Sequence, residues 1–273
     1  MARILIDRFR SPSSFPWYSA IKGYVDGRKC LEIGGPSSIF GKGSEIPIYP
    51  YLGSWDNIDF SQTTLWSQGA NRGGVRASNG DFTGQQFITD ATELTPIDSG
   101  SYDVVLSSHV VEHIANPIRA LTEWKRVLKE DGRILAVVPE GARMFDHART
   151  TTSIDHFLRD FRDGVLEDDL GHLPEILRYH DISMDSAVQG LENFVARSRR
   201  NGELRALHHH VFTPQSLAEL LGVAGFVVDV VARVRPIHIL VSGARSSQSD
   251  ILTTDSANAG DPVGDKEHSG LSN

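Results

Sequence analysis

Cysteine is almost missing from this chain. Cys30 stands alone among 273 residues, which excludes an internal disulfide and leaves a small buried apolar residue as its simplest role. Also missing is any apolar run approaching the roughly 20 residues that span a bilayer, so no membrane partner is expected. The opening Met-Ala-Arg-Ile-Leu-Ile-Asp-Arg breaks into charge too early for the apolar segment of a signal peptide, and a cytoplasmic location is expected. There is no surplus of basic charge. A formal net charge of −8 argues against nonspecific nucleic-acid binding, which needs a basic surface to displace counterions.

What is present, 40% hydrophobic and 23% charged residues, is ordinary for a globular protein large enough to form one sizeable domain with additions. Short β-rich runs alternate with helical patterns. Lys29 to Ile33 reads as a buried strand ending in Glu32-Ile33 and running into the turn Gly34-Gly35-Pro36-Ser37. Such a turn exposes backbone N–H groups beside a crevice, where open α/β sheets hold nucleotide-like ligands. A second strand ends at Asn57-Ile58-Asp59, a third covers Gln86 to Thr92 with Asp90 at its end, and a fourth covers Tyr102 to His109. A carboxylate at the end of the second strand is placed to accept from a ribose diol.

Pro117 opens a helix that Glu130-Asp131-Gly132 closes, and a fifth strand follows over Arg133 to Val138. Phe226 to Val234 and Ile237 to Ser242 are two β runs joined by Arg235-Pro236, a connection so short that they pair antiparallel. The expected fold is therefore α/β, with alternating strands and helices on a mostly parallel sheet. Residues 1–28 read as an N-terminal cap segment whose Trp17 and Tyr18 belong to the core, and 29–243 as the main domain. Within it, 141–205 reads as a helical insertion after strand five that builds a substrate pocket. The glycine-rich stretch from Ser61 to Gln85 reads as a mobile excursion, and 244–273 as a disordered tail.

The order Leu31-Glu32-Ile33-Gly34-Gly35, Asn57-Ile58-Asp59, Thr89-Asp90-Ala91, Tyr102-Asp103-Val104-Val105, Val111-Glu112-His113 and Leu128-Lys129-Glu130-Asp131-Gly132-Arg133 resembles the class I S-adenosylmethionine-dependent methyltransferases over roughly residues 28 to 243. The resemblance implies a Rossmann-like, seven-stranded sheet with an antiparallel final strand, and S-adenosylmethionine as cofactor. It implies that Glu32 orients the turn and the methionine amino group, that Gly34 and Gly35 admit the cofactor, and that Asp59 binds the ribose. It further implies that Asp90 accepts from the adenine amine with Ala91 donating beside it, and that Ser107 faces the methionine portion. The chain departs from the family at Pro36, where another glycine is usual, and in lacking a long first helix.

Methyl transfer requires a nucleophile aligned with the methyl and relieved of its proton. Histidine suits that role near neutral pH. His109 and His147 are the candidates taken as catalytic, with the run His208-His209-His210 also in view and His113 read as structural. Adjacent residues on an extended segment point to opposite faces, so at most two of the three could share an ion. That run is therefore assigned a structural or substrate-bonding role, and no metal site is assigned. The expected activity is methylation, O-directed, of a metabolite or sugar-like small molecule. The alternatives are a nicotinamide-dependent oxidoreductase, disfavoured by the absence of G-x-G-x-x-G, and a non-catalytic adenosine-binding domain.

Overall fold

Two-residue alternation along the strands sends apolar side chains to both faces of one sheet, and each face acquires its own cover. A computed structural model describes residues 12–65, 75–76 and 83–247. Apart from a two-stranded pair, Val75–Arg76 with Thr83–Gly84, the strands form one sheet of β1 (Lys29–Ile33), β2 (Ser54–Asp59), β3 (Gln86–Ile88), β4 (Tyr102–Ser108), β5 (Leu128–Pro139), β6 (Phe226–Val234) and β7 (His238–Arg245). They pair in the order β3-β2-β1-β4-β5-β7-β6. The first five run parallel, β7 lies antiparallel to both β5 and β6, and the antiparallel final hairpin expected from Arg235-Pro236 is present.

Leu31, Val105, Ile134 and Ala136 face a core closed by α2 (Pro117–Val127), α3 (Ile154–Asp163) and α7 (Pro214–Val223). Cys30, Val104, Leu106, Leu135 and Val137 face the other way, onto Ile21 and Val25 of α1 (Pro16–Val25) and onto Ile39, Phe40, Ile46 and Ile48. The N-terminal segment is thus part of this second layer, with Tyr18 buried. No α-helix lies between β1 and β2, as the punctuation of that stretch implies. Two 3-10 turns, Ser38–Phe40 and Tyr49–Tyr51, carry the apolar residues that a crossover helix would otherwise supply.

The insertion contains α3, α4 (Leu173–Tyr179), α5 (Leu191–Ser198) and α6 (Asn201–Leu204). Several boundaries differ from the sequence reading, among them β5, which runs Leu128–Pro139 and not Arg133 to Val138, and β4, which ends at Ser108. α2 stops at Val127 because Leu128 already bridges Tyr102 of β4. β3 stops at Ile88, since Asp90 folds back to bond the Thr92 backbone N–H. β7 continues to Arg245, so residues 244 and 245 belong to the sheet and not to the tail. The tail from 248 onward, residues 1–11, and 66–74 and 77–82 of the polar excursion lie outside the described residues. Among the described residues no helix is long and apolar enough to cross a membrane.

Candidate active site

The parallel strands all end on one edge of the sheet, where a cavity of about 890 Å³ opens. Its floor includes Gly34, Gly35 and Pro36 from the turn after β1, Asp59 from β2, Ala91 and Ser108, and its roof includes Phe145, Arg197 and Arg205 from the insertion. The volume lies within the roughly 300–1,000 Å³ range of small-molecule sites.

The glycine turn is held from behind. Gly34 has φ +74° and its N–H donates to the Ile58 carbonyl at 2.8 Å. Gly35 is gripped by the Asn57 side chain, which accepts from its N–H at 2.9 Å and donates to its carbonyl at 2.8 Å. A Cβ on Gly34 would stand 2.5 Å from Val110 Cγ2, and one on Gly35 would stand 2.2 Å from the Glu32 carboxyl carbon. Glu32 is fully buried and accepts from the Ser37 N–H at 3.0 Å and the Tyr49 hydroxyl at 2.8 Å. Burial pushes its pKa up to about 8 against the opposing pull of these hydrogen bonds. Glu32 therefore buttresses the turn from behind and does not line the cavity. Asn57 was not singled out in the sequence; its position two residues before Asp59 on β2 was the available signal.

Asp59 reaches the cavity wall. Asp90 does not. Its Oδ1 accepts from the Thr92 N–H and hydroxyl at 2.8 and 2.7 Å, and its Oδ2 accepts from Arg205 at 2.7 Å. Burial acts to raise its pKa, but these bonds and the Arg205 charge outweigh burial and hold it below the usual carboxylate range. Ala91 does line the cavity, with its carbonyl occupied by Trp124 Nε1 at 2.9 Å. Ser107 is buried away from the cavity, and Ser108 takes the place assigned to it. A one-residue step along a strand reverses the face. Ser108 Oγ is buried and has no hydrogen-bond partner among the described residues, so a ligand would satisfy it.

The two histidines taken as catalytic separate. His147 is about 44% exposed, 3.2 Å from Asp181, and outside the cavity. His109 lines it, with φ +56° and Nε2 2.9 Å from Nδ1 of His238, a residue of β7 that sequence reasoning missed. Burial, with His238 and His208 nearby, pushes the pKa of His109 down to about 3, which makes it neutral and a weak proton acceptor. His113 donates from Nδ1 to the Leu207 carbonyl at 3.0 Å, which fixes its ring at the cavity wall. Beneath these rings Glu112 is buried, 3.6 Å from His109 Nδ1 and 4.0 Å from His113 Nε2, and burial lifts its pKa to about 7.

His208 is better placed than either candidate. It lines the cavity while its Nδ1 meets Oδ2 of buried Asp146 at 2.5 Å, and Asp146 is held in turn by Arg149 at 3.0 Å. A carboxylate on Nδ1 fixes the tautomer that leaves Nε2 able to take a proton.

Residues 41–136 match the family described as "Methyltransferase domain", a span that begins just beyond the glycine turn. Solved structures similar to the chain include a SAM dependent methyltransferase from Aquifex aeolicus, at 13% identity over 86% of this chain and 89% of that one with TM-score 0.44. Another, from Mesorhizobium loti, stands at 17% identity, 84% and 96% coverage, and TM-score 0.48. A third is the 1,6-didemethyltoxoflavin-N1-methyltransferase of Burkholderia thailandensis with its namesake compound and S-adenosylhomocysteine bound, at 16% identity, 85% and 78% coverage, and TM-score 0.47. No curated protein matches the chain. Residues 41–136 thus match a methyltransferase domain, and the seven-stranded sheet that carries them is Rossmann-like. A methyltransferase domain of this kind implies S-adenosylmethionine as its cofactor.

The residues present fit that cofactor. Two positions where a Cβ would collide leave bare backbone at the turn, a carboxylate stands at the end of β2, and an orphaned hydroxyl faces the cavity.

Proposed function

We propose that the cavity binds S-adenosylmethionine along Gly34, Gly35, Asp59, Ala91 and Ser108, and that the acceptor is a small hydroxylated metabolite or sugar-like compound methylated on oxygen. The cofactor supplies an electrophilic methyl on a sulfonium. Asp59 accepts from the ribose hydroxyls, and the turn lets backbone come close to the methionine end. Ser108 hydrogen-bonds beside it. Phe145, Ile114 and Val110 exclude water from the reacting end of the cavity. His208 Nε2 takes the acceptor's hydroxyl proton, and Asp146 holds Nδ1 and stabilises the imidazolium that results. His109 and His238 position the acceptor as neutral partners.

The observation that carries this reading is the Asp146–His208 pair at the cavity wall. The cavity volume supports a small acceptor, since it accommodates a cofactor and a compact second molecule. The test is a labelled-methyl transfer screen over hydroxylated metabolites and sugars, with amines, proteins and RNA in parallel. O-methylation of a small acceptor is expected, with a His208→Gln variant slowed by about 10²–10⁴-fold in kcat and unchanged in S-adenosylhomocysteine affinity. Transfer to amines or macromolecules alone would contradict the acceptor class, and an unimpaired His208→Gln would remove His208 as the base.

A further inference from the structure

Away from the cavity, the insertion brings together four side chains that the methyltransferase reading does not use. His156 and Asp160 lie one turn apart on α3, His172 immediately precedes α4, and His210 comes from the segment leading to α7. None of the four lines the cavity. Their donor atoms all fall within 4.8 Å of one another. His156 Nε2 is 3.1 Å from His172 Nε2 and 3.3 Å from Asp160 Oδ2, and His210 Nε2 is 3.8 Å from the same oxygen.

His156 and His172 lie within hydrogen-bond distance of each other, and the four donors converge as the ligands of one ion do. A tetrahedron with zinc–ligand bonds of about 2.0–2.2 Å places neighbouring donors roughly 3.3–3.5 Å apart. Asp160 is only 8% exposed, and its Oδ2 is buried with no hydrogen-bond partner among the described residues. Placing a carboxylate oxygen there without a donor is costly, and a cation removes that cost. Asp163, Asp169 and Glu175 stand close by and favour positive charge, against the opposing charges of Arg149 and Arg159. Two contacts compete: exposed Arg159 reaches His156 Nδ1 at 3.2 Å, and His210 Nε2 faces the Ala115 carbonyl at 3.2 Å. Metal binding requires Arg159 to turn to solvent and His210 Nε2 to give up its proton.

We propose that His156, Asp160, His172 and His210 bind one divalent first-row transition ion, zinc by geometry and ligand type. With four protein ligands the site is closed and structural. It ties α3 and the start of α4 to the 206–213 segment, and so fixes the backbone that presents His208 to the cavity. The run His208-His209-His210 thus divides its work. Only His210 is a ligand, His208 faces the acceptor, and His209 Nε2 meets Asn201 Nδ2 at 2.9 Å.

The test uses the full chain purified without chelators, with metal content by mass spectrometry and cobalt(II) titration of the chelator-treated protein. The expected results are about one zinc per chain and the strong visible absorption of tetrahedral cobalt. His172→Ala and Asp160→Asn should each lower zinc content by more than about tenfold, while Glu112→Gln should leave it unchanged. Absence of bound metal together with only weak, octahedral cobalt absorption overturns the proposal. So does zinc retained in both ligand variants, or lost in Glu112→Gln but not in them, which would place the ion at Glu112, His113 and His208. The cobalt titration of the unmodified chain remains decisive if a variant fails to fold.

Discussion

Glu32 holds a proton at neutral pH that an exposed glutamate would have lost. Its pKa is about 8 in the folded chain against an ordinary 4.5, chiefly through burial. The folded state therefore binds more protons than the unfolded state between those values, and stability falls as pH rises through that window. The slope is at most about 1.4 kcal/mol per pH unit. Glu32→Gln should flatten this part of the stability–pH curve in denaturant unfolding, and an unchanged slope would show that Glu32 is ionised. At the same scale, the sequence reading brought Asp59 and Gly34 to the cavity edge from their places at strand ends, a matter of position and not of role. It failed where a distant partner intervenes. Asp90 is held by Arg205, 115 positions away, and His208 by Asp146, 62 positions away. No local pattern carries either pairing.

The turn between β1 and the first 3-10 segment works as a unit with β2, because Asn57 satisfies both backbone groups of Gly35. Asn57→Ala orphans a buried donor and acceptor, each worth about 1–3 kcal/mol. It should lower unfolding free energy by that order and weaken S-adenosylhomocysteine binding; a variant of normal stability would mean the clamp is idle. Gly34→Ala should be harsher per atom added. It forces a side chain into a left-handed backbone, at about 1–2 kcal/mol, with its methyl 2.5 Å from Val110. Thermal unfolding measures that loss, and a melting temperature unchanged from the parent would contradict the geometry. Elements of this kind were legible from runs and punctuation: every strand of the sheet lies where the β-rich runs stand, and the missing first helix follows from Gly41, Gly43, Pro47 and Pro50. Which face a residue takes was less legible. Ser107 and Ser108 differ by one step, and only the sheet register tells which of them meets the cavity.

Over the whole molecule, strand order β3-β2-β1-β4-β5-β7-β6 gathers the strand ends at one edge, and the insertion roofs it. The fold was readable because hydrophobic alternation and the closing hairpin are local signals that constrain topology strongly. The acceptor was not, because Phe145, Arg197, Arg205 and His208 come from the insertion and its exit, where chain order says little about convergence. At this edge Asp59 is proposed to hold an adenosyl sulfonium cofactor. Calorimetric titration with S-adenosylhomocysteine, with NAD in parallel and Asp59→Ala as control, tests it most directly. The expected outcome is one S-adenosylhomocysteine bound per chain, no NAD binding, and affinity reduced by about 1–3 kcal/mol in the folded variant. Binding of NAD alone, or an affinity indifferent to Asp59, would contradict it.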